Sequence, residues 1–146
     1  MQPTPAGWPR LTTAIFYQDA AAAIDWLCEA FGFEVRLRIE HEGRIVHSEL
    51  TYGEALVMIS PAGATPDRPE HSWTASPKDV GGANTQSIGL FVDDADAHCA
   101  HAQAHGATIA EPPSTSDYGP GYWTDRTYQA IDLEGHRWWF MQRLRG

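Results

Sequence analysis

A histidine and a glutamate two residues apart, His47 and Glu49, are the residues of this sequence best suited to acid–base chemistry. They lie in a segment with the character of a β-strand, so both side chains point to the same face of a sheet. An imidazole beside a carboxylate can move a proton near neutral pH, and both groups can bind metals. The alternative is a pair of polar residues held by hydrogen bonds. His47 and Glu49 are therefore our candidate catalytic residues, and both interpretations stay open.

Aromatic residues crowd the last quarter of the chain and could form a surface that binds a ligand. Trp123, Tyr128 and Trp139 are the candidates for this role. Aromatic rings stack on planar molecules and attract cations, so the ligand we expect is aromatic or cationic. The alternative is that these rings only fill the interior of the protein.

Arg126 follows a segment rich in Pro, Gly and Ser, residues 111–122, which we predict to be a loop and a candidate lid. Its guanidinium could hold a carboxylate or phosphoryl group of a ligand. It could equally form an ion pair with Asp125 or Asp132 that fixes the loop. We keep Arg126 as a candidate ligand-binding residue.

Three histidines at helical spacing, His98, His101 and His105, would share one face of a helix. They could bind a metal, but we expect them to be solvated side chains. Cys28 and Cys99 lie outside any metal-binding or disulfide spacing, and we expect both to be reduced. The sequence also has no nucleotide-binding or nucleophile-elbow motif, so we predict no cofactor.

Composition narrows the classes of partner. The chain has 146 residues and a formal net charge of −9, without a basic cluster, which disfavours nucleic acid and would attract a cationic small molecule. No apolar run approaches the roughly 20 residues of a membrane helix, and the Pro-rich start does not resemble a signal peptide. We therefore expect one cytoplasmic domain without a membrane partner.

The elements that would position these residues form an internal repeat. A strand at 11–17 leads to a helix between Asp19 and Gly32, and a strand at 87–92 leads to a helix between Asp93 or Asp94 and Gly106. Aspartate caps helix starts and glycine commonly follows helix ends. Three strands are predicted after each helix: 34–40, 44–52 and 55–60, then 107–110, 126–131 and 136–143. The sequence thus predicts one domain of two βαβββ modules, about 11–60 and 85–143, joined by a linker at 61–84.

Several segments resemble the vicinal-oxygen-chelate superfamily, which includes glyoxalases, bleomycin resistance proteins and extradiol dioxygenases. The matching segments are Tyr17–Leu27, Glu29–Phe33, Asp96–His98 with Gly106-Ala107, Trp123–Tyr128 and Asp132–Trp138. The resemblance implies an α+β fold in which two βαβββ modules, with eight strands in all, form a curved mixed sheet around an open cleft. It also implies a homodimer whose partner completes or closes the cleft.

Metal-binding members of this superfamily carry four ligands on inward strand positions, and the resemblance places these positions at Thr12, Glu49, Ser87 and Trp139. Only Glu49 is a strong donor for a divalent cation, because hydroxyl groups compete poorly and tryptophan offers no ligand. We therefore expect no tightly bound metal. Thr12 and Ser87 become candidate ligand contacts, together with Phe16 and Phe91, which share their strand faces.

The resulting functional hypothesis is a protein of the glyoxalase and bleomycin resistance type that binds a small, aromatic or cationic molecule without metal. The alternative is a lyase, isomerase or dioxygenase of the same superfamily that uses Glu49 and His47. A third hypothesis is an accessory protein without a small-molecule role. We also expect a homodimer, because the open strand edges of such a fold need cover.

Overall fold

The βαβββ unit occurs twice in succession in the computed structural model, which describes residues 1–146. The first module contains β1 (Thr13–Tyr17), α1 (Ala20–Phe31), β2 (Glu34–His41), β3 (Arg44–Tyr52) and β4 (Ala55–Pro61). The second contains β5 (Ile88–Phe91), α2 (Ala95–Ala104), β6 (Thr108–Asp117), β7 (Thr124–Ile131) and β8 (Arg137–Arg145). The predicted α+β fold of two βαβββ modules is confirmed. None of the helices has the length and apolar character needed to span a bilayer.

Each module forms its own four-stranded mixed sheet. Sheet 1 has the order β1-β4-β3-β2 and sheet 2 the order β5-β8-β7-β6, and in each the first strand runs parallel to the last. The expectation of one eight-stranded sheet is therefore wrong, because β1 and β5 do not pair with each other. Part of the free edge of β1 is used instead by His136, whose ring donates to the Phe16 carbonyl at 2.7 Å.

The helix ends follow the predicted capping chemistry. Asp19 accepts a hydrogen bond from the Ala22 amide, and Asp94 accepts one from the Ala97 amide. Gly32 ends α1 with a φ of +86°, a left-handed conformation that glycine adopts without the steric cost of a Cβ atom. Local sequence signals therefore fix where both helices begin and where α1 ends.

One hydrophobic core lies between the modules, with 23 buried residues drawn from both. The helix α1 packs beside α2, and the ring of Phe31 at its end lies 5.4 Å from Trp138 and 4.8 Å from Phe140 of β8. The two modules thus meet through their helix-bearing faces. The opposite face of each sheet, which we call its outer face, lies outside this core.

A buried carboxylate in the β7–β8 turn joins the two modules. Asp132 accepts hydrogen bonds from the Tyr17 hydroxyl at 2.6 Å and from the Trp138 indole at 3.1 Å. It also accepts from the amides of Glu134 and His136 in its own turn. Because buried carboxylates are costly unless they are hydrogen-bonded, this arrangement holds Tyr17 of module 1 against module 2.

Glu134 in the same turn makes a second connection between the modules. It is 4% exposed and accepts from the backbone amides of Gln18 and Asp19 at 2.6 and 2.9 Å. It also accepts from the Ser76 hydroxyl at 2.6 Å. A single carboxylate therefore connects module 2 with the entry to α1 and with the linker.

The segment predicted as a linker has a defined structure. It contains short 3₁₀ turns at Pro69–Trp73 and Pro77–Val80, and the second is capped by Ser76 and Asp79 in a reciprocal capping box. Ser76 is completely buried. The linker thus packs against the β7–β8 turn.

The predicted loop at 111–122 is wrong in its first half. Strand β6 continues to Asp117, with irregular pairing between Glu111 and Ser114, and only residues 118–123 connect it to β7. Pro112 and Pro113 lie at this irregularity, and proline is tolerated there because β6 is an edge strand that needs few amide donors. The proposed lid is accordingly reduced to a short turn.

We expect Glu134→Gln to lower the free energy of unfolding by about 1.5–3 kcal/mol, the range for hydrogen bonds to a buried charged group. In glutamine one of the two oxygens becomes an NH2 group, so a donor would face at least one of the two backbone amides that donate to Glu134. Urea denaturation measures the change. Glu111→Gln is the matched control, because Glu111 is exposed, and it should change stability by less than about 0.5 kcal/mol. Equal effects for the two variants would contradict this role of Glu134.

Candidate ligand-binding site

The outer face of sheet 1 carries the predicted acid–base pair. In β3, Ser48 and Leu50 point into the core, and His47 and Glu49 therefore point to the outer face. The His47 ring donates from Nε2 to Glu49 Oε2 at 2.8 Å. The structure thus brings the two residues together as a hydrogen-bonded pair.

Glu49 is also bound by a residue that the sequence analysis did not single out. Arg36 donates from Nε to Glu49 Oε1 at 2.9 Å, so both oxygens of this buried carboxylate are occupied. The hydrogen bond from His47, together with the hydrogen bond and charge of Arg36, lowers the pKa of Glu49. Arg36 escaped the sequence analysis because an irregularity in β2 between Val35 and Leu37 breaks the strand alternation.

The guanidinium of Arg36 also contacts residues near the start of the chain. It lies 4.5 Å from the centre of the Trp8 ring and donates from Nη1 to the Gly7 carbonyl at 2.6 Å. A series of contacts therefore runs from His47 through Glu49 and Arg36 to Trp8.

Sheet 2 repeats this arrangement on its own outer face. The carboxylate of Asp125, which is buried, binds the guanidinium of Arg143. Arg143 also lies 5.2 Å from the ring of Phe91 and 5.1 Å from the ring of Trp123. The Phe91 and Trp123 residues remain 52% and 41% exposed. Each outer face thus presents a buried carboxylate, an arginine bound to it and a tryptophan over the guanidinium.

Trp139 lies beside this cluster, since its position in β8 alternates with those of the buried Trp138 and Phe140. Its neighbour across the sheet on β5 is Gly89, where an added Cβ would come within 3.1 Å of Met141. The absence of a side chain at Gly89 leaves room for these larger groups. Trp139 and Phe91 therefore occupy the outer face of sheet 2, as Phe16 occupies that of sheet 1.

Phe16 packs edge-on against Trp73 of the linker, with ring centres 5.6 Å apart. His71 of the linker lies 6.1 Å from the same ring. The linker thus contributes aromatic groups to the outer face of sheet 1, which the sequence analysis did not foresee.

Two of the four positions that correspond to metal ligands share a cavity. Thr12 and Ser87 line one cavity of about 300 Å³ between the modules, whereas Glu49 and Trp139 do not line it. Nowhere in the chain do three or more His, Cys, Asp or Glu side chains form a group able to hold a metal ion. Two hydroxyls, an indole and a carboxylate already bound at both oxygens do not fit the donor set of a divalent metal site.

Two candidate ligand contacts point to the helices instead of the outer face. Tyr128 is fully buried on the same face of β7 as Ala130, and its hydroxyl bonds the ring of His98 in α2. Arg126, two residues earlier on this face, binds Asp96 of α2 through two nitrogens. Arg126 therefore forms an ion pair, as one of its two interpretations expects, although its partner is neither Asp125 nor Asp132. We no longer assign Tyr128 or Arg126 to a ligand site.

The helical histidines are not simply solvated, contrary to expectation. His98 is half-buried and its Nε2 donates to the Phe31 carbonyl at 2.9 Å, which leaves Nδ1 to accept from Tyr128. His101 donates to the Glu29 carbonyl at 2.8 Å. These rings connect α2 to the end of α1. The thiols of Cys28 and Cys99 are free, as expected.

This fold of paired βαβββ units defines a class of small α+β proteins, and comparison with known proteins establishes the family. The family model for the Glyoxalase/Bleomycin resistance protein/Dioxygenase superfamily matches residues 11–140. The chain therefore belongs to this superfamily, which confirms the resemblance seen in the sequence. No match was found among curated proteins.

Several solved structures share the fold. TioX from Micromonospora sp. ML1 is 32% identical, with a TM-score of 0.70 over 93% of this chain and 99% of TioX. TnmS3 from Streptomyces sp. CB03234, described as an antibiotic binding protein, is 18% identical, with a TM-score of 0.62 over 90% of this chain and 93% of TnmS3. A superfamily member from Sphaerobacter thermophilus DSM 20745 is 16% identical, with a TM-score of 0.60 over 90% of this chain and 94% of its own.

We expect the pKa of His98 to lie below its ordinary value of 6.5, because burial disfavours the charged ring. The unfolded chain would then take up this proton first as the pH falls. The stabilising contribution of neutral His98 is therefore present above about pH 6.5 and is lost as the pH falls towards the folded pKa. NMR titration of the imidazole measures the pKa directly. Unfolding free energies between pH 7 and 5 should fall less steeply in His98→Gln than in the wild type, with His105→Gln as control.

Proposed function

We propose that this protein binds a planar aromatic small molecule on the outer faces of its sheets. The observation that carries the proposal is the cluster of Phe91, Trp123 and Arg143, in which two half-exposed rings flank one guanidinium. Large exposed aromatic side chains grouped around a polar anchor are typical of sites for small organic ligands. Trp139 extends this surface along β8.

The charge of the cluster favours some ligands over others. The net charge of −9 attracts cations at long range, but the groups closest to a bound ring would be the guanidiniums of Arg143 or Arg36. A guanidinium attracts the electron-rich face of an aromatic ring and repels a cation. We therefore propose a neutral or anionic aromatic ligand in preference to a cationic one.

The comparison with TnmS3 supports binding as the function. That protein is described as an antibiotic binding protein. Its likeness to this chain is one of fold, so the proposal depends on the aromatic groups of the chain itself. Sequestration of such a compound needs a surface and no chemical step.

A second copy of the chain would complete the site. Because the modules share their core through the helix faces, one outer face covers only one side of a flat ligand. Strand β2 is an edge strand that exposes Val35, Leu37 and Ile39, all more than a third exposed. Exposed apolar edges of this kind favour association. We propose a homodimer that covers these surfaces.

A cytoplasmic location remains a prediction from the sequence.

Binding is better supported than catalysis by His47 and Glu49. A general base needs a pKa near the working pH, whereas the hydrogen bonds from His47 and Arg36 lower the pKa of Glu49. Both oxygens of Glu49 already accept hydrogen bonds. We therefore propose a structural role for Glu49, in which it positions Arg36.

We expect Trp123→Ala and Trp139→Ala each to weaken the binding of 2-naphthoate by about 1–3 kcal/mol through loss of stacking and apolar contact. Isothermal titration calorimetry measures the affinity, and proflavine serves as a planar cation that should bind more weakly. Leu144→Ala is the control, because Leu144 is an exposed residue of β8 whose position alternates with that of Arg143. Unchanged affinity in both tryptophan variants would rule out this surface as the site.

We expect sedimentation velocity to find a dimer at micromolar concentration. Replacing Leu37 and Ile39 by lysine should shift the distribution towards monomer, because two charges would then lie on the exposed apolar edge. Val80→Lys is the control, since Val80 is also an exposed apolar residue but lies in the linker. A monomer at every micromolar concentration tested would contradict the homodimer.

A further inference from the structure

Residues 1–9 precede β1 and are held by few contacts, chiefly those of Gly7 and Trp8 with Arg36 on the outer face of sheet 1. None of the nine residues is buried. The hydrogen bond from Arg36 to the Gly7 carbonyl and the stacking of Arg36 on Trp8 connect this segment to the sheet. Its other hydrogen bonds are internal or nearby in sequence, from the Trp8 amide to the Pro5 carbonyl and from Arg10 to the Gln2 carbonyl. We call residues 1–9 the arm.

The surface under the arm has the features of a ligand site. A groove of about 510 Å³ lies between the arm and the β3–β4 turn; residues 4–9 of the arm form one side of it, and Arg36, Thr51 and Leu56 lie on the side of the sheet. The guanidinium of Arg36 is held by its hydrogen bond to Glu49, and Glu49 is held in turn by a hydrogen bond from His47. Arg36 is thus a prepositioned planar group that holds one aromatic ring, that of Trp8, at 4.5 Å.

The sheet 2 cluster shows what such a guanidinium can accommodate. Arg143, held by Asp125 as Arg36 is held by Glu49, has two rings within 5.2 Å, those of Phe91 and Trp123. An arginine fixed by a carboxylate is therefore an aromatic-binding group on both outer faces. On sheet 1 its aromatic partner belongs to a weakly held segment and can leave.

We propose that Trp8 is a tethered occupant of an aromatic subsite on Arg36, and that a planar ligand competes with it for the guanidinium. This inference rests on the proposed function and adds to it a subsite, a residue that limits affinity and a movement. When the ligand ring stacks on Arg36, Trp8 and the rest of the arm are displaced. The arm has prolines at positions 3, 5 and 9, which reduce its conformational freedom once released and so reduce the entropy that its docking costs.

Competition of this kind predicts a gain of affinity when the competitor is removed. An exposed cation–π contact stabilises by an amount that corresponds to about a two- to fivefold change in an equilibrium constant. Trp8→Ala should therefore bind 2-naphthoate about two- to fivefold more tightly than the wild type. Arg36→Gln should bind it more weakly, because the subsite itself is lost. Leu11→Ala, an exposed residue just beyond the arm, is the control and should leave the affinity unchanged.

Hydrogen exchange of the peptide covering residues 1–10, followed by mass spectrometry, tests the movement independently. Exchange should be faster in Arg36→Gln than in the wild type without any ligand, because the arm loses its anchor. Saturation of the wild type with 2-naphthoate should also speed exchange in this peptide. Slower exchange with 2-naphthoate, together with weaker binding by Trp8→Ala, would show that the arm closes over the ligand and would overturn the competition.

The remaining outcomes separate this inference from the proposed function. Equal affinity of Trp8→Ala and the wild type, with weakened binding in Trp123→Ala, would overturn the competition and leave the proposed function standing. Equal exchange of the arm in Arg36→Gln and the wild type without ligand would also overturn it. Absence of 2-naphthoate binding in every variant would contradict the proposed function and the competition that rests on it.

Discussion

Two buried carboxylates in one turn determine how the modules of this protein are arranged. Asp132 binds the hydroxyl of Tyr17, and Glu134 binds the backbone where α1 begins and the hydroxyl of Ser76. A carboxylate enters the interior only if its oxygens find donors, and here most of those donors come from module 1 and the linker. The β7–β8 turn therefore cannot be buried unless module 1, module 2 and the linker are in place together.

The contact between the modules determines which face of each sheet remains free. With the helix faces committed to a shared core, each sheet is left with an outer face that the core does not use. On both faces a carboxylate neutralises an arginine and fixes it, Glu49 with Arg36 and Asp125 with Arg143. The guanidinium planes are then available to aromatic rings instead of free anions. The same physical device thus appears once in each copy of the repeat.

The two copies differ in what covers the guanidinium, and this difference gives the faces different properties. On sheet 2 one ring belongs to β5, and the other is that of Trp123, which directly precedes β7 and whose carbonyl accepts a hydrogen bond from the Tyr118 amide. On sheet 1 the ring is that of Trp8, in a segment without a buried residue. Rings on a sheet form a permanent surface, whereas a ring on a weakly held segment can exchange with another group, because little free energy opposes local opening.

The sequence by itself determined the elements and the family. Capping aspartates, glycines after the helices and two similar patterns of strands predicted both helices and the paired βαβββ modules, because those signals act within a few residues. It also brought His47 and Glu49 together correctly, since alternate residues of a regular strand share a face. It failed where an irregularity changes that alternation, as at Arg36, and where prolines at a sheet edge imitate a loop, as in β6. Only the tertiary structure decided that Tyr128 and Arg126 face α2, that Glu49 is bound by Arg36, and that Trp8 reaches this arginine, because each depends on contacts between distant segments that local patterns do not encode.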